Sequence, residues 1–160
     1  MLIRDILEES EKKFSEIKAV KWLKKKEICD RSYRELMENA KSVRKGLCEE
    51  SFQGKHIALI GSSSVEWIEA YLGIITGQAV AVPLDAGLPA EDLIDLLNRS
   101  DAEALFLSPK IQTLSERILE ECPKLKKIWI LQEESIETNQ KKVASVAGLM
   151  TSGINGTDDF

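Results

Sequence analysis

Histidine, cysteine and proline are scarce in this chain, and each scarcity argues against a class of chemistry. Of 160 residues one is histidine, His56, three are cysteines, Cys29, Cys48 and Cys122, and four are prolines. An odd number of cysteines with no C-x-x-C pair argues against a disulfide scaffold and a zinc ribbon, and one histidine cannot complete a His-rich metal site. The thiols read as buried or surface groups in a reducing cytosol. His56 reads as a structural residue at a strand edge, with no Ser–His–Asp arrangement around it. No apolar run reaches the ~20 residues of a membrane helix. Asp5 comes too early for a secretory signal, so a cytoplasmic location is the expectation. The 22 Lys and Arg against 27 Asp and Glu leave a net charge of −5, which argues against a general nucleic-acid binder. At 43% hydrophobic residues the chain can bury one proper core, and disorder is not expected.

What is there is an alternation of short apolar runs and helical stripes. Ile3, Ile6, Leu7, Phe14 and Ile17 predict a helix over 3–17. Residues 19–23 and 27–30 read as two short strands around Lys24-Lys25-Lys26, a solvated hairpin tip rather than an anion site. Ser32 opens a helix, with Glu35 completing a capping box, and Leu36, Ala40, Val43 and Leu47 form its core stripe. Residues 56–60 are a continuous apolar strand, as in a parallel sheet covered on both faces. A helix over 65–76 turns Trp67, Ile68, Tyr71, Leu72 and Ile75 inward, and Gly77 stops it. Residues 79–82 read as another buried strand, ended by Pro83. Pro89 starts a helix in its first turn, with Glu91 and Asp92 at the positive end and Leu93, Leu96 and Leu97 facing the core. Strand 104–107, a Ser108-Pro109 turn, helix 111–121 and strand 127–131 follow. Beyond this the pattern decays. The order predicts an α/β class: a three-layer, mostly parallel sheet with helices on both faces.

Two stretches are candidates for chemistry. Gly61-Ser62-Ser63-Ser64 combines helix-start amides with hydroxyls, as a phosphate site does. It lacks both G-x-G-x-x-G and G-x-x-x-x-G-K-[ST], and reads as a turn with an N-cap. Thr151-Ser152-Gly153-Ile154-Asn155-Gly156-Thr157 offers amides that can wrap a phosphate. No lysine follows it, and Asp158-Asp159 would repel a polyphosphate unless a metal intervened, so it reads as a terminal tail. Trp67 and Tyr71, one helical turn apart, read as core packing rather than a ligand stack. Composition and spacing alone end at a cytosolic α/β domain with no visible catalytic residue.

Arg31-Ser32-Tyr33-Arg34-Glu35-Leu36 resembles the (Leu/Phe)-(Thr/Ser)-Tyr-x-Glu-Leu start of the adenylate-forming, or AMP-binding, enzymes. Gly77-Gln78-Ala79-Val80-Ala81-Val82-Pro83-Leu84-Asp85 is similar to their Ala-Gly-Ala-x-x-Val-Pro-(Leu/Ile)-(Asp/Asn) segment. Ser64-Val65-Glu66-Trp67, Leu88-Pro89-Ala90-Glu91-Asp92-Leu93 and Leu97-Asn98-Arg99-Ser100-Asp101-Ala102 continue the resemblance in order, over about residues 1–131. It is nearest to the acyl-CoA synthetase, or long-chain-fatty-acid CoA ligase, branch. The resemblance implies a two-step reaction, in which a carboxylate and ATP give an acyl-adenylate and pyrophosphate, and coenzyme A then displaces AMP to leave a thioester. ATP, Mg²⁺ and coenzyme A are expectations for the full-length enzyme, and none is expected on this fragment.

The family's phosphate cradle, Thr-Ser-Gly-Thr-Thr-Gly-x-Pro-Lys-Gly, is not matched. Thr151-Ser152-Gly153 fits its opening, Ile154 and Asn155 replace hydroxyls, and Pro-Lys-Gly is missing. The stretch is either a chance match or a linker just before the cradle. The matched residues have structural roles: Ser32 caps and Tyr33 anchors a helix, and Pro83 closes a strand. No catalytic, cofactor-binding or metal-binding residue carries over to this chain. The expectation is therefore an N-terminal fragment, inactive alone, with an N-terminal subdomain of the AMP-binding domain over 1–131 and a linker or poorly ordered tail over 132–160. Its expected partners are the missing C-terminal portion, a fatty or other carboxylic acid for the full enzyme, and a second copy through exposed apolar surface; nucleic acid is not expected. The rival readings are a stand-alone binding or interaction domain of the same fold and a piece of a peptide-synthetase adenylation domain.

Overall fold

A computed structural model describes residues 2–132, 134, 136 and 140–155. Helix α1 (Ile3–Phe14) leads into an antiparallel hairpin of β1 (Lys18–Lys24) and β2 (Glu27–Ser32), a two-stranded sheet of its own. Ser32 then caps α2 (Tyr33–Glu49). Its hydroxyl accepts from the Glu35 N–H at 3.2 Å, and the Glu35 carboxylate accepts from the Ser32 N–H at 2.7 Å, the reciprocal box that satisfies two orphan donors. The Phe14 and Tyr33 rings, 6.1 Å apart, tie α1 to the start of α2.

The rest is a parallel sheet in the order β4-β3-β5-β6-β7, built from β3 (His56–Ile60), β4 (Val80–Leu84), β5 (Ala104–Leu107), β6 (Lys127–Ile130) and β7 (Val143–Ser145). Successive residues of a strand face opposite sides, and the core divides accordingly. Ala58, Ile60, Leu105, Leu107, Ile128 and Ile130 pack on α4 (Ala90–Arg99) and α5 (Ser115–Glu121). Ile57, Leu59, Phe106 and Trp129 pack under α2, α3 (Val65–Thr76) and α6 (Val146–Asn155). Trp129, 1% exposed, stacks on Phe106 at 5.0 Å and meets Phe52 edge-on at 5.4 Å. The predicted three-layer α/β architecture is the observed one.

Several local expectations need correction. The inward side of α3 is Val65, Glu69, Ala70, Gly73 and Ile74, whereas Trp67, Ile68, Tyr71, Leu72 and Ile75 are only half-buried. That face is turned to α2, which Gly73 lets approach so closely that a Cβ there would stand 2.6 Å from the Val43 side chain. Pro83 sits inside β4 opposite Leu59. β4 is an edge strand, not a buried one, so a missing N–H there costs no ladder bond. Pro89 precedes α4 as its N-cap. Gly77 caps α3 at φ −104°, and it is Gln78 that takes the left-handed conformation, φ +58°. The segment expected as helix 111–121 begins as a 3-10 stretch, Pro109–Leu114, before α5. The reading of 132–160 as a linker or poorly ordered tail does not hold for residues 143–155. There β7 pairs with β6 and α6 docks on α2. A three-residue strand shows no periodicity, and the glycines of α6 mimic a loop. Gly156, Thr157, Asp158 and Asp159 lie outside the described residues.

Those glycines permit close helix contact. A Cβ on Gly46 would stand 2.4 Å from the Leu149 carbonyl oxygen, one on Gly153 1.9 Å from that of Ser42, and one on Gly73 2.6 Å from the Val43 side chain. At Gly148 a Cβ would meet only the Ser145 hydroxyl, at 3.6 Å. Alanine is the better helix former at every one of these sites, so sterics decides the sign. Gly148→Ala is expected to stabilise by about 0.5–1 kcal/mol. Gly46→Ala is expected to destabilise by roughly 2–3 kcal/mol through overpacking. Chemical denaturation of the two variants checks both signs.

At the amino end of the sheet Glu103 accepts from Lys55 Nζ at 2.9 Å and from Lys126. These lysines hold its carboxyl below the ordinary 4.5. Hydrogen bonds from Ser32 do the same for Glu35, and Lys124 lowers Asp101 from 3.8. Each group is more acidic folded than unfolded, so its stabilisation is complete above the ordinary value and is lost as pH falls through the folded one. Melting temperature is therefore expected to fall as pH drops below about 4.5. Glu103→Gln should lower it at neutral pH and flatten the acid-side fall, read by a pH series of thermal melts.

Candidate functional site

The chain runs from β3 to β4 on one side of the sheet and then crosses back to place β5 on the other side of β3. The carboxyl ends of β3 and β5 therefore flank a topological switch point, the position at which parallel α/β sheets hold ligands. A cavity of about 360 Å³ lies there. Its walls are Ser62, Ser64 and Glu66 after β3, Ser108, Pro109 and Lys110 after β5, Leu131, Gln132 and Glu134 after β6, and Lys24 from the hairpin. Beside it, a Cβ on Gly61 would meet Leu131 at 3.1 Å and Trp67 at 3.4 Å.

The polar groups of this crevice are largely committed to the fold. The Ser64 hydroxyl accepts from the Trp67 N–H at 3.1 Å and caps α3. The Ser108 hydroxyl accepts from the Lys110 N–H at 3.4 Å. Lys24 and Lys110 are matched by Glu66 and Glu134, so the cavity does not concentrate positive charge. The turn 61–64 reaches the place where a ligand would bind; its Ser64 hydroxyl acts as the N-cap the sequence suggested, and Ser62 lines the cavity. The β5 and β6 contributions were not legible beforehand, because strand order cannot be read from spacing.

The described part of the second candidate, residues 151–155, is helical and not a loop. Thr151-Ser152-Gly153 lies within α6, and Gly153 is pressed against the α2 backbone. The Thr151 and Ser152 hydroxyls donate to the carbonyls of Ala147 and Gly148. These residues do not fit a nucleotide triphosphate with its Mg²⁺, because their amides belong to the helix and one face is sealed by α2. Among the described residues no group of three or more His, Cys, Asp or Glu is placed to hold a metal ion, and no helix is long and apolar enough to cross a membrane. Trp67 and Tyr71 stack on each other at 5.3 Å, 9° from parallel. His56 Nδ1 lies 2.6 Å from the Ser100 carbonyl oxygen, tying β3 to the end of α4. The cysteines are free; burial pushes the Cys122 thiol above its ordinary value, which leaves it unreactive.

A polar cluster escaped the sequence reading. Glu69, 3% exposed, accepts from Asn39 Nδ2 at 2.7 Å and pairs with Arg31 Nε at 3.5 Å. The Arg31 guanidinium in turn lies 5.4 Å from the centre of the Trp22 ring. One buried carboxylate thus joins the hairpin, α2 and α3 beside a cavity of about 250 Å³ closed by Val146 and Met150 of α6. The signal was available: Val65, Glu69, Gly73 and Thr76 recur at helical spacing with an acid among them. Glu69→Ala, which removes the partner shared by Arg31 and Asn39, is expected to cost roughly 3 kcal/mol. Asn39→Ala should cost less, and a double-mutant cycle on the pair measures their coupling.

A family model described as AMP-binding enzyme matches residues 7–153. A CoA ligase of Gibberella moniliformis (strain M3125 / FGSC 7600) is 36% identical over 79 residues, 49% of this chain and 13% of that protein. The nonribosomal peptide synthetase criC of Aspergillus cristatus is 35% identical over 78 residues, 49% of this chain and 4% of that protein. Among solved structures, coronafacic acid ligase from Pectobacterium brasiliense superposes with a TM-score of 0.84 at 22% identity, over 94% of this chain and 29% of that one. The match thus spans a small part of each of these proteins.

Proposed function

Because the chain belongs to the family of AMP-binding enzymes, we propose that it is the N-terminal portion of an ATP-dependent acid–thiol ligase, an acyl-CoA synthetase of the long-chain-fatty-acid CoA ligase branch. The observation that carries this reading is the ordered match over 7–153, joined to the identity with a CoA ligase. Adenylate-forming ligases use ATP and Mg²⁺, and CoA ligases add coenzyme A. In the parent a carboxylate oxygen bonds to the α-phosphorus of ATP and pyrophosphate leaves; the coenzyme A thiol then bonds to the acyl carbon and AMP leaves. No residue described here is assigned a step. The chain's contribution is the parallel sheet and the crevice at its switch point, against which the missing C-terminal portion docks. The N-terminal subdomain on this reading comprises 1–131 together with 143–155. Three free thiols support a cytoplasmic location, and the acidic balance fits an absence of nucleic-acid partners.

Self-association belongs to the same reading. The exposed large apolar side chains include Leu2, Ile3, Ile6, Phe14 and Ile17 of the N-terminal segment, while the β4 edge carries Pro83 and is blunted for strand pairing. A second copy would therefore meet the α1 face, not a sheet edge.

The purified chain is expected to show no carboxylate-dependent ATP–pyrophosphate exchange; clear exchange from it alone refutes the fragment reading. The reading frame beyond Phe160 separates the rivals. A continuing frame with a phosphate cradle supports the ligase, whereas an immediate stop codon supports a stand-alone interaction domain. The identity with a peptide synthetase favours one second reading, a piece of a peptide-synthetase adenylation domain, which a downstream carrier-protein domain in place of coenzyme A dependence would establish.

A further inference from the structure

The turn of the β1–β2 hairpin is built from residues ill-suited to it. Lys24 pairs with Glu27 across the ladder, leaving Lys25 and Lys26 as a two-residue loop, with φ +49° and +71°. Two positive φ values define a turn that asparagine and glycine favour, and lysine pays steric strain at both positions. Strain of this kind points to selection for something other than stability. Beside the turn, Leu23 and Ile28 face each other across the strands and are each 74% exposed, the highest values among the described large apolar side chains. The opposite face of the hairpin carries Trp22, half-buried and held by Arg31, so the Leu23–Ile28 side is turned outward. Lys21, exposed on the same face, stands opposite Asp30 in the ladder, and the Asp30 carboxylate is taken up by Lys18 at 2.9 Å.

We propose that this tip docks on an anionic lipid surface, with Leu23 and Ile28 entering the headgroup boundary and Lys21, Lys25 and Lys26 meeting the lipid phosphates. Aliphatic side chains flanked by lysines match the two components of such a surface, apolar below and anionic above. A nucleic acid offers nothing to the two aliphatic groups, and a second copy would bring lysine tip against lysine tip. The chain as a whole is acidic, so the attraction is confined to this tip. Lys24 also lines the switch-point crevice, so a docked tip would place the crevice mouth at the lipid surface.

The test is flotation of the 160-residue chain with phosphatidylcholine vesicles, with and without phosphatidylglycerol. The chain is expected to float with the anionic vesicles alone and to be released by salt. Lys25→Asn with Lys26→Gly installs the favoured turn pair. It should raise the melting temperature while lowering partition about tenfold or more, which separates loss of binding from loss of fold. Leu23→Thr with Ile28→Thr keeps strand propensity and every lysine, and should also lower partition about tenfold. Absence of flotation with anionic vesicles, equal flotation with neutral ones, or undiminished binding by either cooperatively folded double variant overturns the proposal. Binding that ignores Leu23 and Ile28 but transfers to DNA shows ion exchange and overturns it equally.

Discussion

The close approach of α2 to α3 and α6 is the contact on which the remainder of the molecule is arranged. Three glycines allow it: Gly46 under Leu149, Gly153 under the Ser42 carbonyl and Gly73 under Val43. A side chain at any of them would push a helix off its seat, since interiors pack too densely to absorb a methyl group without movement. With α2 in place, one face of the sheet is sealed over Phe52, Phe106 and Trp129, and the hairpin is pinned by the Arg31–Glu69–Asn39 cluster. That cluster is anionic at its centre and buried, so it holds its elements by penalty as much as by attraction. Taking away the Glu69 carboxylate removes the partner that Arg31 and Asn39 share.

The other face is simpler. α4 and α5 cover it with leucine and isoleucine, and the connections there are short. With both faces covered, the carboxyl-end loops at the switch point between β3 and β5 are left open beside a cavity of about 360 Å³. The loops do meet there, but the Ser64 and Ser108 hydroxyls cap the helices that follow them and the lining charges are balanced. A parallel sheet generates such a crevice by topology alone, whether or not the loops of the same segment supply reactive groups.

How much of this was legible depends on which force set each feature. Ser32 and Glu35 were readable because a capping box is decided within four residues. The strands 56–60 and 104–107 were readable because full burial leaves an unbroken apolar run. Pro83 was misread because a strand's place in the sheet, edge or centre, is a tertiary fact, and an edge position removes the objection to proline. The inward face of α3 was misread for a related reason. Trp67, Tyr71 and Leu72 were expected to point inward, but the stripe turned to the core is Val65, Glu69, Ala70, Gly73 and Ile74, with a glycine where α2 stands nearest and a partnered glutamate beside it. Residues 143–155 were misread because glycine carries two meanings. In a loop it supplies conformational freedom; in α6 it supplies absence of bulk, and spacing cannot tell the two apart.

The motifs that carry family membership obey the same distinction. Ser32 caps, Tyr33 meets Phe14, Gly77 and Gln78 turn the chain out of α3, and Pro83 sits on the sheet edge. Asp85 accepts from the Gly87 N–H at 2.8 Å to close the next turn. Each of these roles is local and geometric. A family can therefore be recognised from residues that act on the backbone, because the backbone tolerates few residues at caps and turns, whereas a crevice wall tolerates many. By the same logic the strained lysine pair at 25 and 26 is the exception that calls for a separate cause. It stands at a turn where the backbone's preference is known, and the residues present go against it.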